Sequence, residues 1–123
     1  MKRTIAHMRT PLRKGRIKLE HKIQYRNPLQ VEASQRVKVA REDDQFPGWR
    51  WCTASDGREG WVPIELLSGE GAEATMQEDY SARELAVKPG EEVIIEEARH
   101  GWLLVRNIRG ERGWIPASNV EPQ

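Results

Sequence analysis

Residues 49–63 read WRWCTASDGREGWVP, and residues 102–116 read WLLVRNIRGERGWIP. The two stretches align without a gap. Trp49 meets Trp102, Gly57 meets Gly110, Gly60 meets Gly113, Trp61 meets Trp114 and Pro63 meets Pro116. Every identity is a Trp, Gly or Pro, the residues that set turns and packed strand surfaces and are costly to replace. The chain therefore carries one unit twice. Between the identities the chemistry also agrees: Val62 answers Ile115, and Cys52 answers Val105.

The match runs upstream. VEASQRVKV (31–39) answers VKPGEEVII (87–95), and Tyr25 and Leu29 answer Tyr80 and Leu85. The first copy is longer by three residues in EDDQFPG (42–48), an insertion of the kind surface loops accept at small cost. Each copy reads as all-β. VKVARED (37–43) and EVIIEEA (92–98) are β-rich runs, WRWCTA and WLLVRN are the next strands, and SDGR (55–58) and IRGE (108–111) supply Gly for tight hairpins. EGWVP and RGWIP follow, each ended by a Pro that donates no ladder hydrogen bond. The organisation read from the sequence is a basic arm (1–17), a first small barrel (18–67), a short Gly-bearing linker (68–73) and a second small barrel (74–121).

The formal charge of +1 over 123 residues hides two opposed blocks. Residues 1–26 hold nine Lys/Arg against Glu20 alone, a net +8, and the remainder holds 11 Lys/Arg against 18 acids, a net −7. Such blocks attract an oppositely charged partner or each other. The arm contains RTPLRK (9–14), a proline flanked by cations, and its intramolecular docking on the acidic barrels is one expectation. No run reaches the roughly 18 apolar residues of a membrane span, and no apolar core follows the basic start as in a secretion signal. A cytoplasmic protein is the expectation. The single Cys52 excludes an internal disulfide framework, and the strand position it shares with Val105 points to a buried, inert thiol. His7, His21 and His100 are scattered; no phosphate loop, paired catalytic acids or metal spacing is present. The chain reads as a non-enzyme with no cofactor and no metal.

With these residues in place, the chain resembles the Src-homology-3 (SH3) family of five-stranded small barrels. EDYSAREL (78–85) resembles the family's Ala-Leu-Tyr-Asp-Tyr stretch running into its Glu-Leu pair, KPGEEV (88–93) its diverging turn, GWLLV (101–105) its Gly-Trp-Trp strand, and RGWIPASNV (112–120) its closing segment. The first copy matches over GWRWC (48–52) and GREGWVPIELL (57–67). The tandem arrangement is similar to bacterial proteins with paired variant SH3 domains. The resemblance implies a groove for extended, proline-rich peptides, in which flat side chains meet preformed polyproline geometry and acids pair with ligand cations. It assigns Trp102, Pro116, Tyr80 and Asn119 to the second groove, and Trp49, Pro63, Leu66 and Tyr25 to the first. Glu78 stands where the family's first motif Tyr would be, Asn119 where its terminal groove Tyr would be.

Acids gather beside both proposed grooves: Glu42, Asp43 and Asp44 in the first copy, and Glu78, Asp79 and Glu84 in the second. Read functionally, they capture a basic peptide; read blandly, they solvate loops. Trp61 and Trp114 are expected to be structural. Trp49 and Trp51 alternate on one strand face, as a packed layer or a binding ledge. The resulting expectation is protein–protein interaction with a basic or proline-rich partner. The rival reading is nucleic-acid binding by the arm and the aromatic surfaces, which the acidic barrels oppose. Exposed edge strands also leave dimers and strand exchange open.

Overall fold

The computed structural model describes residues 13–69 and 71–123. Most of the arm, residues 1–12, and Glu70 of the linker lie outside them. Among the described residues the architecture is all-β: twelve strands and two short 3-10 turns. The strands are β1 (Arg13–Ile17), β2 (Gln30–Val31), β3 (Arg36–Glu42), β4 (Trp49–Thr53), β5 (Glu59–Pro63), β6 (Leu67–Ser68), β7 (Glu73–Met76), β8 (Tyr80–Ser81), β9 (Glu92–Arg99), β10 (Trp102–Asn107), β11 (Arg112–Pro116) and β12 (Val120–Pro122). The 3-10 turns, Ile64–Leu66 and Ala117–Asn119, follow the two prolines that end β5 and β11.

Two five-stranded antiparallel sheets result. Module 1 has the order β5-β4-β3-β7-β6, and module 2 the order β11-β10-β9-β1-β12. The predicted hairpins are present: β4 pairs with β5 from Trp49↔Pro63 to Thr53↔Glu59, and β10 with β11 from Trp102↔Pro116 to Arg106↔Arg112. Gly57 (φ 89°) and Gly110 (φ 86°) make the two connecting turns, where a side chain would be strained.

The domain boundaries differ from the sequence reading. Residues 13–17, expected in the arm, form β1 and fill the slot between β9 and β12, with Gly15 opposite both Val93 and Pro122. Residues 73–76, expected to end the linker and open the second barrel, form β7 and fill the matching slot of module 1, with Val37 opposite Ala74. The two copies have exchanged their first strands. The cause lies in the short connection. Leu67↔Met76 and Ser68↔Thr75 make β6 and β7 a hairpin, turned by Gly69 (φ 113°) and Gly71 (φ 85°). What read as a linker is a hairpin turn, so β7 is held beside β6. The slot in module 2 then falls to β1.

The slots accept either strand because both present the same pattern. Gly15 and Ala74 are small and inward, while Ile17 and Met76 are apolar and inward. Ile17 joins Leu85, Val87, Val93, Ile95, Leu103, Val105, Ile115 and Val120 in the core of module 2. Met76 joins Leu29, Val31, Val37, Cys52, Ala54, Val62 and Leu66 in that of module 1. Burying such a side chain contributes about 2–3 kcal/mol, so each exchanged strand is an integral part of the other copy's core.

The connections after β1 and β7 cross between the modules. Residues 18–28 leave module 2 and enter module 1; residues 77–84 run the other way. Tyr80 pairs with Val31 in the β2–β8 ladder, and His21 pairs with Val87 in a matching bridge. His21, not Tyr25, is therefore the structural equivalent of Tyr80.

Candidate functional site

The crossing brings the expected groove residues together in a different arrangement. Tyr80 packs on the core of module 1, and its hydroxyl donates to the Trp61 carbonyl at 2.7 Å. Burial pushes this phenol well above its ordinary pKa, so it remains a donor. Tyr25, 38% exposed, packs at a tilt against Trp51 with ring centroids 5.0 Å apart, and Trp51 in turn packs edge-on against Trp61 at 5.0 Å. Arg41 lies over Trp51 and Trp61, 5.6 and 5.2 Å from their centroids. These rings form a half-exposed ledge on module 1.

Trp49 does not belong to that ledge. It is 3% exposed, meets Trp114 edge-on at 5.4 Å, and donates its indole N–H to the His100 carbonyl at 3.1 Å. It packs the two modules together, and the little of it that stays exposed lines the cleft between them. Pro63 and Leu66 are buried beside it, so the surface assigned to the first groove is closed. The physical reason is that a strand residue facing outward from its own module can be covered by the neighbouring one. Asn119 is also buried. Its amide donates to the carbonyls of Leu19 and Glu20 at 3.2 and 3.1 Å, clipping the crossing segment in place of contacting a ligand. Trp102 and Pro116 are half-buried and remain accessible in part.

Several expected acids have structural partners. Glu42 accepts the Gly48 N–H and Asp43 the Gln45 N–H, both at 3.0 Å, so they shape their own loop. Asp79 accepts the Ala33 N–H at 2.9 Å. Glu84 is buried, 2.7 Å from His21 Nε2, and also accepts the Gln24 N–H at 3.4 Å. Asp44 and Glu78 are exposed. Cys52 is fully buried, and burial raises its thiol to about 11 despite the nearby Arg50 charge.

Between the modules a cleft remains. Its walls include Tyr25, Trp61 and Trp102, and its carboxylates are Asp43, Glu59 and Glu84. Among the described residues no Lys or Arg lines it. A site with flat aromatic walls and acidic side chains can hold an extended segment bearing a cation. Glu59 and Trp61 in this role were not singled out by the sequence; the pairing of Trp61 with Trp51 across β4 and β5 was the available signal. Among the described residues no group of three His, Cys, Asp or Glu is placed to hold a metal, and no helix is long and apolar enough to cross a membrane.

Two exchanged five-stranded sheets with aromatic and acidic surfaces between them define a tandem SH3-like protein. The model of the variant SH3 domain family matches residues 14–68 and again 76–123, and the chain belongs to that family. Each matched span opens with a strand, or its end, that the fold hands to the other module, so the family repeat and the spatial module are different units. Domains of this family mediate protein–protein interactions. Comparison with curated proteins and with solved structures returned no match.

Proposed function

We propose that the chain is a non-enzymatic interaction module that holds an extended, cationic peptide segment in the cleft between its modules. The observation that carries this reading is the cleft lining: three carboxylates and six aromatic side chains, with no Lys or Arg among the described residues that line it. A ligand Arg or Lys gains a ring face and a carboxylate, and a neighbouring Pro packs on Trp102 at little conformational cost. The proposed setting is the cytoplasm, where a lone buried thiol such as Cys52 stays reduced.

The test is calorimetric titration of the full chain with a synthetic RTPLRK peptide and with its ETPLEE counterpart. The cationic peptide is expected to bind and the acidic one not to. Trp102→Ala is expected to weaken binding about tenfold or more, as for an aromatic contact residue, and Glu59→Gln by a smaller, salt-dependent factor. Equal binding of both peptides, or indifference to Trp102→Ala in a folded protein, overturns the assignment. Nucleic-acid binding at this cleft is opposed by its carboxylates, which repel phosphate. Single-stranded DNA in the same titration is expected to give no Trp102-dependent signal.

A further inference from the structure

Trp102 is the one groove Trp left partly accessible, and the molecule already sets a side chain on it. Phe46, half-buried in the 42–48 insertion of the first copy, meets the Trp102 ring edge-on at 5.5 Å. On another side Trp102 meets His21 at 5.7 Å. Gly101 lies directly under the Phe46 ring. A Cβ at this position would come within 2.8 Å of the ring, and the backbone is held at φ 90°. The insertion is shaped to present Phe46. Glu42 and Asp43 accept the Gly48 and Gln45 N–H groups, the Asp43 N–H donates to the Trp49 carbonyl at 2.9 Å, and Pro47 biases Phe46 toward extended backbone. No counterpart exists in the second copy, where β9 and β10 are joined by His100–Gly101 alone.

We propose that this insertion is a built-in competitor for the ligand surface. Phe46 occupies the place on Trp102 that an apolar ligand residue next to a proline takes, and a partner peptide binds by displacing it. The proposal rests on the cleft reading above and adds its regulation and one element of its specificity. Binding is weakened by the fraction of time Phe46 covers the ring, because only the uncovered state is competent. Removing the side chain returns that fraction.

Phe46 is the only Phe in the chain, so 4-fluorophenylalanine incorporation gives one fluorine resonance for it in the full-length protein. Adding the RTPLRK peptide is expected to move this resonance toward its value in the unfolded chain. Phe46→Ala is expected to bind the peptide about three- to tenfold tighter, and to prefer RFPLRK, whose Phe fills the vacated place, over RTPLRK. Phe46→Leu, which keeps apolar packing, is expected to lie between. If the wild-type and Phe46→Ala proteins bind the peptide equally, or the fluorine resonance stays fixed on binding, Phe46 is plain packing: the competitor is overturned and the cleft reading stands. If neither protein binds, both readings fail. Should Phe46→Ala unfold, the fluorine measurement on the otherwise unchanged protein decides alone.

Discussion

Trp49 and Trp102 occupy the same place in the repeat and have different fates. One is almost wholly buried between modules, with only its edge on the cleft, and the other is shared between the cleft and Phe46. The repeat made both legible as special residues, but burial by a neighbouring module is a tertiary event that a strand pattern does not encode. Cys52 is the converse case: its equivalence with Val105 was readable, and both are fully buried. Cys52→Val is therefore expected to change stability by less than about 1.5 kcal/mol. Because the folded thiol is raised to about 11, it remains protonated at pH 8. A thiol reagent such as iodoacetamide is expected to label it only at the rate of unfolding, whereas prompt stoichiometric labelling of native protein would contradict its burial.

At the scale of the element, the strands, hairpins and turns were legible because period-two patterning and Gly positions act locally. Which module each first strand completes was not. Gly15 and Ala74, and Ile17 and Met76, answer the same inward pattern, so only the length of the 68–73 connection decides the pairing. Likewise Tyr25 aligned with Tyr80 by residue type, while the ladder places His21 there. The exchange makes Gly15 a sensitive position. A Cβ there would lie 2.6 Å from Val120 and 3.1 Å from Ile95 in module 2, although the residue belongs to the first copy. Gly15→Val is expected to destabilise by about 1–3 kcal/mol in urea unfolding, and Ile17→Ala by about 2–5 kcal/mol. Neutral values for both would refute the placement of β1.

For the whole molecule, exchange predicts one cooperative transition in place of two, since each module lacks a strand without the other copy. Deleting residues 1–17 removes β1 along with the basic arm. It is expected to unfold module 2 and to lower the urea midpoint of the whole chain, a loss visible in near-ultraviolet circular dichroism. An unchanged transition after that deletion would contradict the fold. The modules are also joined through Glu65, whose carboxylate lies 2.9 Å from His100 Nε2 and 3.6 Å from Arg99. Burial acts to raise its pKa, but the His100 hydrogen bond and the Arg99 charge outweigh it, and the result lies below the usual carboxylate value. Glu96 behaves alike: burial raises it, and hydrogen bonds from Arg106 and Arg112 bring it below 4.5. A depressed folded pKa gives stability that is present above the unfolded value and lost as pH falls through the folded one. The urea midpoint is thus expected to hold above about pH 5 and to drop below about pH 4, with a smaller drop in Glu65→Gln.

The pairing of β1 with β12 also has a consequence for how the chain is made. Gly15 sits opposite Pro122, so the earliest described strand finds its place only when residues more than 100 positions further on, such as Pro122, are available. Module 1 can close once Met76 has emerged, because its first strand arrives by a hairpin from its own end. β1 has no such local partner. At about 5–20 residues per second, it waits on the ribosome for roughly 5–20 s as a cationic extended segment while the rest of its sheet is synthesised. During that interval it is open to a chaperone, or to module 2 of a finished neighbour, and a delay in the second half of translation prolongs the risk.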